Sequence, residues 1–140
     1  MQTAEATGLL HLSKWVNLGE VLLAEHDLDG ARSTFVEVVR IGRRTGDKHN
    51  LALAILGLAC LAADLRNWHR AAMLHGVAKA MLDKIGAPWE EFEACRRQQS
   101  LDQLRQALGN EQLQQAHTRG MTFSFDQAID LALRGMPPPM

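Results

Sequence analysis

Apolar residues return at intervals of three and four along most of this chain. Leu9, Leu12, Trp15, Val16, Leu18, Leu22 and Leu23 share one helical face and predict a first helix over about 8–25. Asp27 or Asp29 can accept hydrogen bonds from the free amides of a second helix, whose inward face is Ala31, Phe35, Val38 and Val39 and which ends between Gly42 and Gly46. Asp47 opens a third helix through the apolar run Leu51 to Ala63, which loses its apolar character at Asp64, Arg66 and Asn67. Asn67 then caps a fourth, from Trp68 to Ile85, stopped at Gly86 because glycine accepts the left-handed conformation that closes a helix. Pro88 suits the first turn of a fifth, which carries Trp89, Phe92, Cys95, Leu101, Leu104 and Leu108 to Gly109. A short helix over about 111–118 follows. Ser124 and Gln127 have capping-box spacing ahead of Ala128, Ile129, Leu131, Ala132 and Leu133. No segment alternates as a strand does, so the predicted class is all-α: one domain over 1–135 and a disordered, Pro-rich tail over 136–140.

Internal periodicity sharpens this picture. Trp15, Leu18, Gly19, Asp27, Ala31 and Phe35 are spaced as W-x-x-L-G and D-x-x-x-A-x-x-x-F. Small residues let two antiparallel helices approach, so Gly19 and Ala31 mark the contact while Trp15 and Phe35 fill the space beside it. The pattern resembles a tetratricopeptide repeat. A second, degenerate copy has Leu56 and Gly57 for Leu18 and Gly19, Asn67 for Asp27, Ala71 for Ala31, and His75 for Phe35. The offsets are 38 residues for the first helices and 40 for the second. The expected architecture is therefore two antiparallel repeats, about 8–44 and 47–86, in a right-handed superhelix, with a C-terminal helical cap over about 88–134. The repeat-packing residues are Trp15, Leu18, Gly19, Ala31, Phe35, Leu56, Gly57 and Ala71.

Further along stand Arg70, Ala71, Ala72, Leu74, Gly76 and Ala78, then Ile85-Gly86-Ala87-Pro88, Ala107-Leu108-Gly109, and Ser124-Phe125-Asp126-Gln127-Ala128 before Leu131. This order, over roughly half the chain, resembles the C-terminal helical tail of large bacterial regulators. Those proteins join a signalling ATPase to tetratricopeptide repeats, often with a LuxR-type or AfsR-type DNA-binding domain. The resemblance implies a cytoplasmic transcription-regulator context in which the repeats hold the ATPase domain or receive a signal. It assigns no functional residue, and that family's phosphate-binding loop and DNA-binding helices have no counterpart in this sequence.

Composition narrows the function classes. Fifteen Lys and Arg against sixteen Asp and Glu give a formal charge of -1, too little field to draw the chain onto nucleic acid or an anionic membrane. Met1 to Thr7 lacks the basic flank of a secretory signal, and Leu51 to Ala63 is shorter than a membrane helix, which needs about 20 residues. Cys60 and Cys95 are far apart and fit a reducing, cytoplasmic compartment. His11, His26, His49, His69, His75 and His117 show no i, i+4 pair for a metal. Neither G-x-S-x-G, G-x-x-x-x-G-K-[ST] nor G-x-G-x-x-G occurs, so the expectation is no enzyme and no cofactor. Cys60 reads as an inert core thiol, and His75 as a packed side chain. Glu90, Glu91 and Glu93 read as first-turn charges of a helix, and Arg43, Arg44, Arg96 and Arg97 as solvated.

The remaining function is contact with other protein. In a tetratricopeptide stack the first helix of each pair lines the concave face, which places Leu51, Ala54, Leu58 and Leu61 opposite Ser13, Val16, Glu20 and Leu23. The apolar set is expected to meet a partner: a second copy, further repeats or an ATPase domain. The last helix folding back over it is the alternative. A free-standing adaptor unrelated to transcription and a small-molecule sensor also fit the sequence.

Overall fold

The computed structural model describes the backbone of residues 3–134 and the side chains of residues 12–134. The expected disordered tail and the inward place of Leu9 lie outside these described residues. Six helices occur, with no strand among the described residues: α1 (Thr3–Ala24), α2 (Leu28–Thr45), α3 (Lys48–Asp64), α4 (Trp68–Ile85), α5 (Glu91–Met121) and α6 (Phe125–Leu133). The all-α class holds. α1 starts before Gly8, since Ala4, Glu5 and Ala6 are good helix formers and nothing there interrupts them. Pro88 lies outside α5, whose N-cap is Glu90. The expected stop at Gly109 is a kink inside α5, where φ 81 and ψ 162 leave the helical region before the chain winds on to Met121.

The hairpin turns are built alike. At the end of α1 the Asp27 N–H donates to the Leu22 carbonyl (2.8 Å) and His26 to Leu23 (3.1 Å); after α3, Asn67 donates to Ala62 and Arg66 to Ala63, both at 2.9 Å. These paired bonds are the Schellman closure. They hold His26 and Arg66 at φ 61 and 62, a conformation costing a side-chain-bearing residue roughly 1–2 kcal/mol, whereas the turns after α2 and α4 use Gly46 and Gly86. Asp27 caps the Gly30 amide and Asp47 the Asn50 amide, but Asn67, expected to cap α4, makes no side-chain capping bond. Ser124 and Gln127 form both bonds of the capping box.

α1 and α3 end 40 residues apart, as do α2 and α4, and α2 and α4 also begin 40 apart. The offset is therefore 40 for both helices of the pair, which corrects the 38 read for the first. Gly19 corresponds to Ala59, and Gly57 to Asn17.

α3 is the centre of the molecule. Leu51 through Ala63 are all buried, because α1, α2, α4 and α5 each pack against this helix. Phe35 of α2 fills the space between two glycines: a Cβ added at Gly19 would stand 2.6 Å from its ring, and one at Gly57 would also run into the ring. Burying such a ring contributes roughly 1.5–3 kcal/mol. α4 and α5 approach more closely still, since a Cβ at Gly76 would meet the His117 carbonyl and one at Gly120 the Met73 carbonyl. α6 lies against α2 and α4, tied by the Arg70 guanidinium donating to the Ala132 carbonyl at 3.3 Å.

Candidate functional site

The leucine face expected to meet a partner is core within the single chain. Leu51 and Ala54 have no exposure, and Leu58 and Leu61 retain 2% each. Leu51 abuts Gly42 of α2, while Leu58 and Leu61 floor a cavity walled by Arg32, Arg70 and Arg134. The side of α3 assigned to a partner thus faces α2 and the α4–α6 side of its own molecule. Of the repeat-packing set, Ala31, Phe35, Leu56 and Ala71 are buried, and Gly19 and Gly57 meet Phe35. Trp15 and Leu18 correct the expectation: they are 44% and 49% exposed.

Their exposure marks a surface. Trp15, Leu18 and Val21 are three residues apart on α1 and form one outward apolar stripe, Val21 being 52% exposed. Forty residues on, their counterparts Ile55, Leu58 and Leu61 are 0–2% exposed. The same helix position is thus covered in the second hairpin and open in the first.

A polar seam runs where α1, α3 and α5 meet. Glu20 of α1 and Glu93 of α5 are both buried, with their carboxyls close enough to share a proton. Two ionised carboxylates so close in a buried site would repel each other. Burial, then the bond and charge of Glu93, push Glu20 up to about 8, with Arg96 opposing. Glu93 is therefore not a solvated first-turn charge, and Arg96 is not simply solvated either. Arg96 also stands over the Phe92 ring, Arg97 over Trp89 (both 5.5 Å), and Arg43 pairs with Asp126 at 3.9 Å.

Deeper in the seam, burial pushes the Cys60 thiol up to about 12, which keeps it protonated and a poor nucleophile. His75 is wholly buried, with Nε2 2.8 Å from Ser100 Oγ. The spacing is that of a nucleophile and its base. No third group orients the ring, however, since Nδ1 has no partner, and burial followed by the charge of Arg97 lowers His75 to about 3. A notch of about 100 Å³ between Cys60, Asp64, Arg96 and Ser100 is the seam's opening. Among the described residues no three His, Cys, Asp or Glu side chains converge as metal ligands would, and no helix is long and apolar enough to cross a membrane.

The pairings across this seam join residues that local spacing could not connect. Glu20 and Glu93 were legible only as an isolated acid amid apolar neighbours and as one of a first-turn cluster. No family model matches the chain, and searches of curated proteins and of solved structures return no match.

Proposed function

We propose that the chain is a non-catalytic, tetratricopeptide-like helical-repeat module that binds protein, and that its docking edge is α1 rather than the leucine face of α3. The observation that carries this is the contrast between the exposed Trp15, Leu18 and Val21 and their buried counterparts 40 residues on. A repeat array buries its apolar faces by stacking, and a hairpin with an open face accepts another. The occupant is accordingly a helical hairpin of the same kind, offering small and aromatic residues as α2 offers Ala31 and Phe35 to α3. In this reading α5 and α6 close the other side as the C-terminal cap.

The buried thiol and the unoriented histidine support the non-catalytic part. The regulator context, cytoplasmic and with an ATPase domain as the hairpin's source, rests on the sequence resemblance from Arg70 to Leu131. In it the module contacts neither DNA nor membrane directly. The test is a Trp15→Asp, Leu18→Asp double variant, both sites being exposed. A partner captured by the wild-type chain from its own cells is lost, with the melting temperature unchanged. Capture that is indifferent to this change contradicts the proposal.

A further inference from the structure

Three guanidinium groups from separate parts of the sequence converge on one cavity. Arg32 on α2, Arg70 on α4 and Arg134 just past α6 wall a space of about 280 Å³ whose floor includes Leu58 and Leu61. Like charges do not gather without cost, and both Arg134 and Arg32 oppose the ionisation of Arg70, which burial opposes first.

The compensating acids are peripheral. Asp29 stands 3.8 Å from Arg32 and Asp130 3.3 Å from Arg134, with carboxylate side chains 97% and 74% exposed. Arg70 has no carboxylate partner among the described residues, only the Ala132 carbonyl, and the Nε of Arg32 is buried with no acceptor. Asn67, also on the wall, leaves the first amides of the 18-residue α4 without a side-chain cap, so the positive end of that helix adds to the field.

We infer that this cavity binds the phosphoryl group of a small phosphomonoester bearing a short apolar substituent. Three forked donors approaching from three walls match a tetrahedral oxyanion with three terminal oxygens, whereas a carboxylate offers two in a plane. The volume suits a small molecule, since each water of liquid would fill about 30 Å³ of it. Leu65, 46% exposed on the lining, gives the substituent an apolar seat. This inference does not rest on the α1 docking edge.

Phenyl phosphate is the probe, titrated into the isotope-labelled full chain and followed by amide shifts in nuclear magnetic resonance, with inorganic phosphate and benzoate as parallel arms. The expected result is saturable binding below about 10 mM centred on residues 58–70 and 132–134, several-fold tighter for phenyl phosphate than for either control. Arg134→Gln, at a 66% exposed side chain, weakens it roughly tenfold or more, as does Arg70→Gln. Arg70→Gln also removes the bond to Ala132, so Arg134→Gln, which keeps that bond, carries the test if the first variant loses its fold. Shifts that do not saturate, or affinity unchanged in Arg134→Gln, overturn the site. Benzoate binding as tightly as phenyl phosphate overturns the choice of a phosphoryl group, and inorganic phosphate doing so overturns the apolar seat.

Discussion

Replacing Glu20 by Gln should abolish a loss of stability that the wild-type chain suffers as the solution becomes alkaline. The Glu20 carboxyl is raised from 4.5 to about 8 by burial and by its bond to Glu93. Between those values the folded chain holds a proton that the unfolded chain has released, so unfolding releases a proton and stability falls with rising pH, levelling off above about 8. Each unit is equivalent to about 1.4 kcal/mol, which bounds the loss near 5 kcal/mol; relaxation of the seam and entry of water as the pair ionises should bring it to roughly 2–3 kcal/mol. The Gln amide has the shape of the protonated acid and donates to Glu93 at any pH. Denaturant unfolding at about pH 5 and about pH 9 measures both proteins. The variant should match the wild type at the lower pH and exceed it by about 2 kcal/mol at the higher. Equal slopes for the two proteins, or a variant less stable at pH 9, would refute the shared proton.

Further substitutions probe the packing. Gly57→Leu should cost about 3 kcal/mol, because any side chain there displaces the Phe35 ring; an unchanged melting temperature contradicts the close α2–α3 contact. Gly120→Ala should cost about 2 kcal/mol or more, since it meets the Met73 carbonyl and backbone yields less readily than a ring; thermal unfolding reads this directly. His75→Phe should flatten the acid limb of the stability profile. The wild-type imidazole, lowered to about 3, loses stability as pH falls from about 6.5, and an acid limb identical in the variant would mean that His75 is not the group responsible. Ser124→Ala should cost about 1 kcal/mol by opening the capping box, seen in the denaturation midpoint.

The helices were legible because their signals are local. Asp27, Asp47 and Ser124 cap neighbouring amides, and Gly46 and Gly86 close turns that a Cβ would strain, so periodicity plus punctuation located α2, α3, α4 and α6 closely. The repeat register was not, because Gly57 advertises the same small-residue signal as Gly19 and packs on the same Phe35 ring, although it is not the counterpart of Gly19. Trp15 and Leu18 carried the motif but not the packing, for no described element lies over that face of α1. Pairs such as Glu20–Glu93 and the trio Arg32, Arg70 and Arg134 are 38 to 102 residues apart. Only the packing of α1 and α5 on α3, and of α6 on α2 and α4, brings their elements together.

The open edge of α1 is tested most directly by a photo-cross-linking amino acid placed at Leu18 in the full chain inside its own cells. A discrete adduct is expected, whose linked peptide belongs to a helical hairpin of another protein or segment and which is absent when Trp15→Asp is added. A label that reacts only with solvent, that joins two copies of this chain through α1, or that marks an extended peptide would contradict it.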